Sequence, residues 1–162
     1  MKEKTYFEQR EISCIDRINE IIKILPYYVE DFFIGVETRT SPLSRLNYAY
    51  DLRIFFDFLV NKIFRNKKMT EIELTDLANL TAQDFEYFIS YLSRYMINGR
   101  YQRCTETGKA RKLSTIRAFY KFFFDRNMLP ANTPSKVKMP KIHEKEIIRL
   151  DSNEKVDEIG DM

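Results

Sequence analysis

Arg111, Lys112, Ser114 and Thr115 place four side-chain donors, two of them cationic, within five consecutive residues. Guanidinium, ammonium and hydroxyl groups at that density suit phosphate oxygens and the edges of bases. Leu113, Ile116, Tyr120 and Phe123 recur in the same stretch at three- and four-residue steps, which predicts a helix with one apolar side. Arg111, Ser114, Thr115 and Lys121 fall mostly elsewhere on its circumference. Such a helix can bury one face while offering donors on the other. The plainer alternative is an amphipathic helix whose charges serve only to keep it soluble.

A second group of donors sits at the start of another helix. Thr38-Arg-Thr-Ser-Pro42 reads as a loop running into a helix, with Ser41 as N-cap and Pro42 at the first helical position. From Leu43 to about Phe64, the positions Tyr48, Leu52, Phe55, Phe56, Leu59 and Ile63 form a broad apolar face, with Asn47, Tyr50, Asp57 and Asn61 pointing away. This is the expected core helix. Its N-terminus gathers Ser44, Arg45 and Asn47, which can hydrogen-bond phosphate beside the exposed amides and positive dipole end of the helix.

The charge distribution points the same way. The net charge of +3 implies no particular partner, but residues 100–141 hold eleven Lys or Arg against two Asp or Glu, whereas the rest of the chain is net acidic. That asymmetry is the footprint of a phosphate-binding surface. Other chemistries have little to work with. Cys14 and Cys104 lie far apart without metal-ligand spacing, and His143 is the only histidine, which argues against a zinc site or a serine-type triad. There is no glycine-rich phosphate loop and no long apolar run or signal segment. The expectation is a cytoplasmic protein with free thiols, no metal, no small-molecule cofactor and no membrane association.

The elements that must position these groups are helical. Only four glycines, abundant Leu, Ile, Phe, Lys and Glu, and no sustained alternation predict an all-α domain of 162 residues, possessing a sizeable core. Phe7, Ile12, Ile15, Ile18, Ile22 and Leu25 predict a first helix over residues 6–24. Pro26 interrupts it, and Tyr27, Tyr28, Phe32 and Phe33 continue as a short helix ending near Gly35 as a C-terminal stop. Thr81 caps the next helix with Asp84 at the third position, and Phe85, Phe88, Ile89, Leu92 and Met96 form its buried stripe. Residues 98–110 read as an exposed loop leading into the basic helix. Pro130, Pro134 and Pro140, among Lys136, Lys138 and Lys141, predict an extended basic segment, and Leu150-Asp-Ser-Asn-Glu154 with Val156 and Ile159 reads as the start of a further helix.

Taken together, several segments resemble the N-terminal core-binding, or SAM-like, domain of tyrosine recombinases of the phage-integrase type. They are Ser41-Pro-Leu-Ser44 followed by Tyr48-Ala-Tyr-Asp-Leu-Arg-Ile-Phe-Phe-Asp-Phe-Leu59, Leu80-Thr-Ala-Gln-Asp-Phe85, Arg111 to Phe123, and Asn132-Thr-Pro134 through Met139-Pro-Lys141. Thr133 splits the adjacent Asn-Pro usual in the family, and the 98–110 loop is longer than common. The resemblance implies a compact four- to five-helix domain over residues 24–129, with an extra N-terminal helix in 1–23. Residues 130–162 would be an extended basic linker and the beginning of a catalytic domain.

In such recombinases this domain and the catalytic domain close on duplex DNA as a clamp, with two helices against the major groove. By position those helices are 43–64 and 109–126, so the resemblance implies DNA contacts from Ser44, Arg45, Asn47, Lys109, Arg111, Lys112, Ser114 and Thr115. Arg117 and Lys121 are further candidates, and Lys136, Lys138 and Lys141 would follow phosphates along the linker. Partners are double-stranded DNA and other recombinase protomers in a synapse, which residues 6–24 could reach if they do not pack on their own domain. The family's catalytic set of two arginines, a lysine, a histidine pair and a tyrosine nucleophile has no counterpart here, so catalytic residues are expected to be none. A stand-alone helical DNA-binding regulator and a helical protein-interaction module anchored by Tyr27, Tyr28 and Tyr101 are the competing classes.

Overall fold

Thr5 caps the first described helix with reciprocal hydrogen bonds to Glu8, at 3.0 and 3.1 Å, in the computed structural model, which describes residues 5–142. Helix α1 (Tyr6–Ile22) follows, then α2 (Val29–Val36), α3 (Pro42–Phe58), α4 (Leu74–Ala78), α5 (Ala82–Tyr91), strands β1 (Tyr95–Ile97) and β2 (Arg100–Gln102), and α6 (Glu106–Asp125). His143 and the helix start expected at Leu150–Ile159 lie outside the described residues. Among those described, no helix is long and apolar enough to cross a membrane, and no group of three or more His, Cys, Asp or Glu is placed to hold a metal ion.

Two helix starts follow their sequence signals closely. Ser41 Oγ accepts the Ser44 amide at 3.1 Å with Pro42 at the first turn, and Thr81 and Asp84 cap each other at 3.2 and 2.8 Å. α3 carries the predicted apolar face, with Leu52, Phe55, Phe56 and Phe58 buried, but its regular part stops at Phe58 and a wider π-turn covers Leu59–Ile63. Phe119 of α6 lies at the centre, its ring meeting those of Tyr28, Phe32, Phe56 and Phe123. Edge-to-face geometry dominates these pairs, as ring quadrupoles prefer.

Two buried tyrosines fasten the segment before α5. Tyr28 donates its hydroxyl to the Ile72 carbonyl, and Tyr120 to that of Leu77, both at 2.8 Å. Burial raises both phenol pKa values, so these groups stay donors. The same segment holds a pH-sensitive clasp in which Asp76 accepts from the Glu73 amide at 2.9 Å and from Lys67 at 2.5 Å. Desolvation opposes ionisation there, but the Lys67 and backbone hydrogen bonds outweigh it and hold the carboxyl below its ordinary value. A depressed folded value means stability that is present above the unfolded pKa of ~3.9 and lost as pH falls through the folded value. Asp76→Asn should therefore lower unfolding free energy by about 1 kcal/mol at pH 7 and by almost nothing in strong acid, measured by urea denaturation across pH.

Several expectations need correction. Gly35 lies inside α2, not beyond its end. α5 finishes at Tyr91, so Met96 is an exposed strand residue. The 98–110 segment is no simple loop: it contains the second half of a hairpin, and α6 begins at Glu106, capped by the Thr105 hydroxyl. Asp57, expected to face solvent, is half-buried, and burial raises its carboxyl pKa despite Arg53. The basic segment after Pro130 does not run free. Residues Thr133–Lys136 form a short 3-10 turn, with Pro134 and Val137 buried against the body. Finally, α1 packs along α3 and buries Ile18 and Ile21.

Candidate nucleic-acid interface

Asp51 is the hinge of the candidate site. It lies on α3, its side chain only 1% exposed, and one carboxylate oxygen accepts from Arg111 at 2.7 Å and from the Thr115 hydroxyl at 2.8 Å. Lys112 stands 3.7 Å from the other oxygen, which has no hydrogen bond. Burial raises the Asp51 pKa; the Thr115 hydrogen bond and the two cations oppose that shift without cancelling it. A buried carboxylate thus ties α3 to the first half of α6 across sixty residues of sequence.

Periodicity then decides what surrounds the tie. Ser44, Asn47 and Asp51 follow one another at three- and four-residue steps on α3, as do Arg111 and Ser114 on α6. Because Asp51 grips Arg111 and Thr115, these two stripes meet. Ser44, Asn47 and Ser114 are exposed, and the Arg111 side chain keeps 49% of its surface in solvent. The structure therefore leaves Ser44 and Asn47 on α3, and Arg111 and Ser114 on α6, as accessible donors on two helices that Asp51 joins.

Other candidates have structural employment. Thr115, expected off the apolar side, is buried, since its hydroxyl also reaches the Arg111 carbonyl at 3.3 Å. Lys112 is buried behind it. Lys109 is turned inward too, donating to Ser93 at 2.8 Å and pairing with Glu106 at 3.2 Å, which ties α6 to the chain leaving α5. Arg45 spends its guanidinium on the Thr40 carbonyl at 2.7 Å and the Glu37 carbonyl at 3.0 Å, holding the turn before α3. Arg117 binds the carbonyls of Pro134, at 3.1 Å, and Val137. Lys121 is exposed and paired with Asp125 at 3.0 Å, while Lys136, Lys138 and Lys141 are exposed along the segment that Arg117 anchors.

Asp51 itself was not singled out by sequence reasoning. The available signal was an acidic residue one turn from Tyr48 and flanked by Leu52 on the greasiest helix, opposite a surplus of cations elsewhere in the chain. A carboxylate forced into that face requires such partners.

Comparison with known proteins adds a family to this geometry. The chain is 29% identical over 119 residues to tyrosine recombinase XerS of Streptococcus mutans, covering 70% of this chain and 33% of that protein. It is 33% identical over 115 residues to tyrosine recombinase XerS of Lactococcus lactis, covering 68% and 32%. Tyrosine recombinase XerC of Oceanobacillus iheyensis is 28% identical over 119 residues, covering 72% and 33%. The chain thus spans about a third of the length of these curated relatives. No solved structure matches it. The profile described as phage integrase, N-terminal SAM-like domain, matches residues 29–127, from the start of α2 to just beyond the end of α6. With its helical core and its paired α3 and α6 stripes inside that match, the chain belongs to the family of phage-integrase N-terminal SAM-like domains.

Proposed function

We propose that residues 24–129 bind duplex DNA as one half of the clamp of a site-specific tyrosine recombinase, acting in DNA integration or recombination. The observation that carries this reading is the Asp51 tie, which joins α3 to α6 and leaves Ser44, Asn47, Arg111 and Ser114 as accessible donors along the seam. Donors of this kind from two adjacent helices suit phosphates and base edges chemically. Catalysis is assigned to sequence beyond this domain, since the relatives are about three times as long as the matched stretch. Lys136, Lys138 and Lys141 extend the cationic track, and further protomers are the protein partners of such an assembly.

The test uses exposed residues that hold nothing else in place. Removing Arg111 and Lys112 together would strip Asp51 of both cations, so lost binding would not be separable from lost folding. Asn47→Asp and Ser114→Glu instead set a negative charge against the proposed phosphates. Each should lower affinity for a ~30-base-pair duplex about tenfold without moving the thermal midpoint, while wild-type binding weakens steeply with salt, read by fluorescence anisotropy. Unchanged affinity in both variants would remove the seam from the interface.

A further inference from the structure

The hairpin before α6 belongs to none of the surfaces described so far, and it is held rigidly on the surface at both ends. Asn98 and Gly99 form its two-residue turn with φ of 52° and 75°, the left-handed pair that matches the twist of the flanking strands. Its base is tied down by the Cys104 amide, which donates to the Leu92 carbonyl at 2.9 Å, and by Tyr95, which is buried and stacked on Tyr91 at 5.6 Å. Its tip is tied to α3 by Arg53, which donates to Asn98 Oδ1 at 3.3 Å.

What the hairpin carries is cationic. Arg94, Arg100 and Arg103 are exposed, and among the described residues no ion pair engages any of them. The Arg94 guanidinium lies over the ring of Tyr101, 3.6 Å from its centre, and the ring is itself exposed. An arginine stacked in this way keeps its N–H groups free for a phosphate. The single carboxylate between residues 94 and 112 is Glu106, and Lys109 occupies it. The location is equally specific. Arg53 stands two residues after Asp51 on α3, and Lys109 bridges the hairpin's entry at Ser93 to the first turn of α6. The hairpin is therefore fixed at its tip to the side of α3 turned away from Asp51 and at its base to the first turn of α6.

We infer that the hairpin Tyr95–Gln102 with its flanking arginines is a wing that grips the phosphate backbone of the same duplex beside the seam. Arg100 and Arg103 take phosphates, and Arg94 with Tyr101 forms a flat cationic platform against the sugar–phosphate edge. The inference rests on the DNA-binding reading above. Positive charge, hydrogen-bond donors and an aromatic face on an exposed strand pair suit a polyanion, and phosphate contacts set affinity without needing base-specific geometry.

The test compares the 162-residue chain, its Arg100→Ala/Arg103→Ala variant and the Ser114→Glu variant in salt-dependent anisotropy titrations. Losing two phosphate contacts should reduce the slope of log affinity against log salt by about 1.8 and weaken binding about tenfold at low salt, with an unchanged far-ultraviolet circular dichroism spectrum. Arg100→Glu/Arg103→Glu should weaken it further. Hydroxyl-radical footprinting should show protection lost at one edge of the wild-type footprint. If the alanine pair binds with the wild-type slope and footprint while Ser114→Glu binds weakly, the seam contacts DNA and the wing does not. If the wild type shows no salt-dependent affinity at all, the DNA-binding reading falls and takes the wing with it.

Discussion

Asp51→Ala should cost the protein about 3–5 kcal/mol of unfolding free energy in urea denaturation, because it leaves the buried Lys112 ammonium without its counter-charge. The Thr115 hydroxyl loses its acceptor at the same time, and Arg111 loses the hydrogen bond that sets its direction. Asp51→Asn should cost less, since an amide oxygen can still accept from Thr115 and Arg111. The acid branch separates charge from shape. Burial holds the Asp51 pKa above its ordinary value, so the native state retains this proton to higher pH than the unfolded chain. That contribution is complete below the unfolded pKa of ~3.9 and is lost as pH rises through the folded value. The stability gap between wild type and Asp51→Asn should accordingly narrow as pH rises from about 4. A gap that widens instead would mean that the cations outweigh burial.

Gly35→Ala should destabilise by about 1–3 kcal/mol although alanine is the better helix former by up to ~1 kcal/mol. A Cβ at position 35 would overlap Phe122 Cε1 and stand 2.8 Å from Cζ. The Phe122 ring cannot easily yield. Phe32 and Phe123 meet it edge to face at 5.7 and 4.9 Å, and the Arg126 guanidinium lies 3.7 Å from its centre. Shortening the obstacle in Gly35→Ala/Phe122→Leu should recover part of the loss, and a double-mutant cycle should give a favourable coupling of about 1 kcal/mol. Thermal or urea unfolding of the four proteins measures it. Additive losses would show that the glycine serves α2 alone.

These two sites show where the sequence was readable and where it was not. Ser41, Pro42, Thr81 and Asp84 act on their own next turn, and such local signals located the starts of α3 and α5. The apolar periodicity of Leu113, Ile116, Tyr120 and Phe123 likewise placed the buried side of α6. The failures involve residues whose partners are distant in sequence. Thr115 and Lys112 turn inward because a carboxylate sixty-odd residues earlier is buried there, and no period on α6 encodes that. Gly35 matched a helix stop because glycine is common at one; its real constraint is a ring that arrives from α6. The hairpin was legible in principle, since Asn98-Gly99 between Ile97 and Arg100 is a strong turn signal. The long apolar stripe from Phe85 to Met96 masked it by extending a helical pattern into the strand.

The hold of Arg117 on the carbonyls of Pro134 and Val137 bears on mechanics as much as on packing. Residues 130–137 would contribute up to about 25 Å of reach if extended. Pinned against α6, they contribute almost none, so any slack begins only after Val137. A catalytic domain attached at this end, as the proposed reading requires, would be kept at high effective concentration over DNA already held by its partner. Releasing Arg117 would lengthen that leash, trading a fast local search for a wider and more dilute one.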